Sequence, residues 1–183
     1  HPFHGLANFH FFFTDASFLP ALQNTFTLLF SVMLITVVLG TALGLLINEA
    51  FPGRAIVRVL LISPFLVMPA VNALMWKNML LNPIYGLFAQ ISIFFGATPV
   101  DWLSAHPLFS IIMMASWQWL PFACLIFMTA LQSMDREQLE AARMDGATYL
   151  QQLRYLYIPH LGRAVSVVLM IEMIFLLSIF AEI

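Results

Sequence analysis

Long apolar runs alternate along this chain with short polar ones, and their lengths decide what they can build. A helix that crosses a bilayer needs about 20 mainly apolar residues. Four runs qualify: about 22–47, which carries no charge; about 56–76, which contains Pro64 and Pro69; about 108–131; and one that begins near 164 and continues to 183. Lipid offers no partner to exposed backbone groups, so each run is read as a helix. Pro64 and Pro69 each remove an N–H, which predicts a kink or a local break in the second. Between the second and third runs, "IYGLFAQISIFFG" is too short to span. It is expected to lie in the interface, with Trp102 at headgroup level. Gly40 and Gly44 in "LGTALG" form a small-residue pair that permits close helix contact, a packing feature.

The polar residues orient these runs. Arg54 and Arg58 follow the first; Arg136, Arg143, Arg154 and Arg163 follow the third. The connection over 79–107 holds no Lys or Arg, and Lys77 lies just before it. Six of the seven basic residues thus fall on one side, which the positive-inside rule assigns to the cytoplasm.

One segment departs from the apolar pattern: "QLEAARMDGATYLQQLRYLYIPHLGR", residues 138–163. Asp135 can cap a helix, with Gln138 three positions on as an acid-led analogue of the capping box. Arg136 and Glu140 support that helix at i,i+4 spacing. Gly146 suits a left-handed C-terminal position. Thr148 and Gln151 form a second capping box, and Pro159 is expected to end the second helix. The prediction is a helix, a tight glycine turn and a helix, with Leu139, Ala142 and Met144 as a small apolar face and Ala141 permitting close approach. By periodicity alone, a solvated helical loop explains the segment equally well.

Composition agrees with a membrane chain. Hydrophobic residues make up 62% and charged residues 9%, against about 25% charge in an ordinary soluble domain. The basic content is too low for nucleic acid to be a partner. Cys124 has no second cysteine to pair with, and it reads as a small buried hydrophobe. His1, His4 and His10 lack metal-site spacing, so no metal is expected. The chain does not begin with Met and stops inside an apolar run, which is read as a fragment. No basic stretch marks its start as a signal peptide.

Polar residues inside spans are functional candidates. Glu172 stands inside the fourth run, with Phe175, Leu176 and Ile179 on its helical face. Gln118 and Phe122 share a face of the third, with Trp119 beside them. Asn72 and Trp76 lie toward the outer end of the second. Hydrogen-bonding groups beside aromatic faces suit a sugar or polyol. The alternatives are structural: Glu172 pairing with another subunit, the tryptophans as packing anchors, and Asn72 as an interhelical hydrogen bond. His106 and His160 fall at opposite membrane ends, which argues against an enzymatic dyad with Glu172.

Glu140-Ala141-Ala142, three residues, Gly146, nine residues, then Leu156-Tyr157-Ile158-Pro159 resembles the EAA loop of the membrane subunits of binding-protein-dependent ABC importers. The usual ending is Ile-x-Leu-Pro; Leu and Ile are exchanged here. "MDGA", "GLANFHFFFTDASFLPALQNTF" and "WLSAHPLFSIIMMASWQWLPF" resemble carbohydrate permeases, and "LSIFAEI" resembles the sorbitol/mannitol branch. The resemblance implies an all-α polytopic fold, the type I ABC importer transmembrane domain, with about four spanning helices in 1–183 and a cytoplasmic coupling loop over 135–159. It implies a bacterial inner-membrane permease subunit for a sugar or polyol. The partners would be a cytoplasmic ABC ATPase dimer, a second permease subunit, an extracytoplasmic solute-binding protein and the lipid bilayer. Coupling to the ATPase would fall to Glu140, Ala141, Ala142, Asp145, Gly146 and Pro159. The pathway candidates are Gln118, Trp119, Phe122, Glu172 and Phe175. No cofactor is expected in this chain: its one Lys, Lys77, has no glycine-rich phosphate loop before it, so ATP and Mg would be bound by the partner, and the chain would not itself be an enzyme. Importers of other solutes share the loop, and a secondary transporter would also use broken helices.

Overall fold

The computed structural model describes residues 13–49 and 51–178. Among them the chain is helical and contains no strand. Helix α1 is Phe18–Asn48, α2 is Arg54–Ile62, α3 is Pro69–Met75, α4 is Leu87–Phe94 and α5 is Trp102–Ala105. Helix α6 is Pro107–Gln132, α7 is Arg136–Met144, α8 is Tyr149–Gln152 and α9 is Ile158–Leu176. Three helical stretches are long and apolar enough to cross a membrane: Phe18–Asn48, Pro107–Gln132 and Tyr149–Leu176. The second expected span is instead a broken pair, Arg54–Leu66 with Pro69–Leu80, bent by 103°.

That bend exceeds the expected kink, and the prolines explain it. A proline disfavours helical backbone in the residue before it, and Met68, before Pro69, is extended at ψ 140°. Val67 is extended as well, at ψ 130°. Pro64 sits at the start of the 3₁₀ turn Ser63–Leu66 and Pro69 opens α3. Two helix starts five residues apart leave no room for a continuous helix between them.

Pro159 acts in the opposite way to the expectation. It does not end a helix. The turn before it widens into the π segment Leu153–Tyr157, where the Ile158 N–H donates to the Leu153 carbonyl five residues back. Pro159 then falls in the first turn of α9, where its missing N–H removes nothing. The fourth span therefore starts at Tyr149 and not near 164. Its expected continuation to 183 lies outside the described residues, as do His1, His4 and His10.

Helices α1 and α6 form the central contact. A Cβ placed on Gly40 would lie 3.0 Å from Ala123 Cβ and 3.3 Å from Cys124 N. Gly44 sits one turn on against Phe127. The glycine pair is a packing device, as its spacing predicts. Gly40→Leu should drive α1 off α6, overpacking the seam by about 1–3 kcal/mol. A lowered melting midpoint of the purified protein would register it; an unchanged midpoint would remove the close contact from the account.

Two apolar clusters fill the seam. Phe127, Leu131, Tyr157, Leu161 and Val168 pack toward the basic end. Leu28, Leu29, Val32, Ile112, Ala115 and Leu176 pack toward the other. At that second end α4 and α5 fold over α6. Trp102 meets Phe109 in a tilted ring contact with centroids 5.9 Å apart. Asp101 caps α5, accepting from the Ser104 hydroxyl at 2.7 Å and its N–H at 3.3 Å. Those bonds hold its carboxyl below the usual carboxylate range, the Ser104 hydroxyl contributing most.

Candidate functional site

Two constellations carry chemistry, and both ride on α6 and α9. The first surrounds the broken span. Gln118 is buried on α6, and its amide is engaged at both ends. Its Nε2 donates to the Val67 carbonyl at 2.8 Å, and its Oε1 accepts from Asn72 Nδ2 at 2.8 Å. Val67 lies in the extended break, so its carbonyl has no helical partner. Gln118 therefore fastens the bend to α6. Asn72 completes the bridge as the interhelical hydrogen bond its position suggested, and its Nδ2 also approaches the Met114 carbonyl at 3.4 Å.

Beside this amide pair stands an aromatic wall. Phe65 stacks on Phe122 at 5.7 Å and meets the Trp119 edge at 5.9 Å. Trp119 contacts Phe122 at 5.8 Å and Phe175 of α9 at 5.3 Å. Phe65 and Phe175 are exposed, Trp119 and Phe122 half-buried. The break thus brings a ring from a third segment to the rings of α6 and α9. Pro121, inside α6 between two of these rings, removes a helical N–H at the same level.

Glu172 points elsewhere. It is fully buried, and its Oε2 accepts from Thr36 Oγ1 of α1 at 2.8 Å. Oε1 has no partner. Its partner in this chain is thus a threonine across the α1–α9 seam. Leu176 shares that buried side with Glu172, as expected, whereas Phe175 turns to the exposed flank with Trp119 and does not; Ile179 lies outside the described residues.

The second constellation is the polar segment at the basic end. Asp135 caps α7 through the Glu137 N–H at 3.0 Å; among the described residues Gln138 does not close a box. At the far end the Gly146 N–H donates to the Arg143 carbonyl, and the Ala147 N–H to the Ala142 carbonyl. With Gly146 at φ 78°, this is the Schellman arrangement that ends a helix sharply. Thr148 and Gln151 close the predicted capping box at the start of α8. His160 Nε2 stands 2.8 Å from the Ala130 carbonyl, so that nitrogen donates. It ties the start of α9 to the end of α6.

The faces of α7 differ from the expectation in one residue. Leu139 packs against the core cluster and Ala142 is half-buried. Met144 does not join them; it is 88% exposed. The spacing explains this, because 140, 141 and 144 share a face and 139 and 142 occupy another. The outward face is Glu140, Ala141 and Met144, continued past the turn by exposed Leu150. Asp145, Gly146 and Pro159 are exposed too.

Residues 7–183 match the profile of the family described as binding-protein-dependent transport system inner membrane component. The chain belongs to that family. A probable ABC transporter permease protein, y4oQ, of Sinorhizobium fredii is 37% identical over 162 residues, covering 87% of this chain and 52% of the relative. The trehalose/maltose transport system permease protein MalF of Thermococcus litoralis is 29% identical over 181 residues, covering 98% of this chain and 61% of the relative. The chain therefore spans between about half and three-fifths of these relatives. A crystal structure of a bacterial ABC transporter involved in the import of the acidic polysaccharide alginate shares the fold. Its TM-score is 0.85 at 24% identity, covering 98% of this chain and 64% of that one.

For this inner membrane transport component, sequence reasoning found every wall residue except Phe65. That ring lies in the break, whose geometry no periodicity reveals. It also missed Thr36, which looks like one more small residue in an apolar run, and the outward turn of Met144, which helical spacing could have supplied. Among the described residues no cluster of His, Cys, Asp or Glu could hold a metal.

Proposed function

We propose that this chain is a permease subunit of an ATP-driven importer and forms part of the inner-membrane path for a sugar or polyol delivered by an extracytoplasmic binding protein. One observation carries the reading: the exposed, doubly capped α7–Gly146–α8 pair stands at the junction of the two helices that bear the aromatic wall. A cytoplasmic ATPase supplies the hydrolysis and seats the Glu140–Ala141–Met144 face. A second permease subunit completes the path.

The geometry suits transmission of motion. Helix α9 continues from α8 through the π turn, and Phe175 lies 16 residues beyond Pro159, roughly 24 Å along a helix. His160 links the same joint to α6. A displacement of α7 and α8 thus moves both walls of the aromatic site, a rigid-body route by which switching transitions are carried. Trp119, Phe122 and Phe175, with Phe65, present π faces to a sugar ring, and Gln118 holds the bend that places Phe65. The Glu172–Thr36 bond positions α9 against α1. The relatives named for trehalose and maltose and for xylose and arabinose in Haloferax volcanii support a sugar, and the one named for sn-glycerol-3-phosphate in Yersinia enterocolitica supports a polyol derivative.

The test is uptake by the complete transporter in proteoliposomes. It should require ATP and the binding protein and be indifferent to ion gradients; uptake driven by an ion gradient without ATP would overturn the reading. Trp119→Ala should raise the half-saturating substrate concentration of the transport step about tenfold, from loss of one aromatic contact. An unchanged value would take Trp119 out of the path.

A further inference from the structure

One cavity in the described residues, at the root of α7, carries two arginines that neither constellation uses. Its volume is about 450 Å³, and three segments meet around it: the end of α1 at Asn48, the start of α2 at Arg54, and the α6–α7 corner at Gln132 and Arg136. Leu131, Met134 and Leu139 form its apolar side. No acidic side chain is among the lining residues. Arg54 Nε is buried and has no hydrogen-bond partner. Asp135, beside Arg136, is engaged with the Glu137 N–H, and Glu49, beside Asn48, is exposed outside the lining.

A buried donor on a charged group is costly to leave unmatched. Two guanidinium groups and two amide side chains around one cavity match a phosphate, which accepts several charge-assisted bonds at once. The surroundings identify the source. Leu46, Ile56, Val59 and Leu60 flank Arg54 in sequence on α1 and α2 and are all exposed, as befits side chains against acyl chains. The cavity therefore sits where an apolar surface gives way to a basic end, the level of a lipid headgroup.

We propose that this cavity binds the phosphate of an anionic phospholipid from the cytoplasmic leaflet. The site rests on the inner-membrane placement of the family and on the assignment of the basic end to the cytoplasm, not on the identity of the solute. Because Arg136 begins α7, the bound headgroup lies against the root of the α7–α8 pair.

The test uses the full-length permease within its assembled transporter, in nanodiscs of equal phosphatidylglycerol and phosphatidylcholine, with retained lipid measured by mass spectrometry after detergent exchange. The native protein should retain phosphatidylglycerol preferentially. Arg54→Gln with Arg136→Gln should lower that retention about tenfold, the loss expected from removing charge-assisted hydrogen bonds. Arg54→Lys with Arg136→Lys should restore most of it. Arg163→Gln, at the same end but outside the cavity, should leave it unchanged. If the double glutamine variant fails to assemble, Arg54→Gln alone gives the same comparison. Equal retention by native and Arg54→Gln protein would overturn the proposal. So would binding of inorganic phosphate with no preference between the two lipids, which would make the occupant a soluble anion.

Discussion

Gly146→Asp should lower ATP-driven uptake by at least about tenfold while the protein still inserts and the binding protein still takes up its solute. The backbone at 146 is left-handed at φ 78°, where an ordinary residue is strained by roughly 1–2 kcal/mol. Aspartate tolerates that region better than most, and no atom lies within 4 Å of a Cβ built there. The fold can therefore absorb the change. What changes is the surface: a carboxylate appears at the apex of an exposed turn already flanked by Asp145. Gly146→Asn carries a similar shape without the charge and should transport better than the aspartate variant. Wild-type uptake by Gly146→Asp in reconstituted vesicles would remove the turn from the coupling account.

Gln118→Leu should have the largest effect on stability. Leucine matches the amide in size but leaves the Val67 carbonyl and the Asn72 amide without their best partner inside a buried site. Each unmatched group costs about 1–3 kcal/mol, and the nearby Met114 carbonyl compensates Asn72 only weakly at 3.4 Å. The bend then loses its tie to α6, and Phe65 leaves the aromatic wall. A lowered melting midpoint and lost uptake are expected together. Gln118→Glu keeps an acceptor for Asn72, but its ionised carboxylate sets a second acceptor against the Val67 carbonyl in a buried site, so it should destabilise as well. If Gln118→Leu melts as the native protein does, the bend is held by something other than this amide.

Much of the fold was legible in the sequence because the membrane makes it so. Apolar runs near 20 residues placed α1 and α6 within a few residues of their ends, since lipid permits little except a helix of spanning length. The α7–α8 pair was legible for a different reason. Asp135, Gly146, Thr148 and Gln151 are local signals whose partners lie within a few residues of sequence. The prolines were harder. Pro69 breaks a helix while Pro159 is absorbed by one, and only the neighbouring turns decide which. In one case Pro64 precedes Pro69 closely enough to prevent a helix between them. In the other a widened π turn makes the missing N–H harmless. The aromatic wall was half legible: Trp119, Phe122 and Phe175 stood out as rings near polar groups within spans. Phe65 joins them only through a 103° bend, a long-range geometry fixed by Gln118. Glu172 was conspicuous as a charge among apolar residues, but the direction of its side chain depends on Thr36, 136 residues away.

The central claim is that the Glu140–Ala141–Met144 face seats in a cytoplasmic ATPase and moves with it. Cys124 is the only cysteine and is buried, so a single reporter can be placed cleanly. Ala141→Cys, in a Cys124→Ser background of the assembled transporter, is labelled with a short reagent that is thiol-reactive at one end and photoreactive toward any neighbouring side chain at the other, and is illuminated in the presence and absence of ATP. The predicted result is a cross-link from position 141 to the ATPase subunit whose yield changes with ATP, and none from Gln90→Cys on α4 at the opposite end. No cross-link at 141, or an equal yield from position 90, would contradict the account.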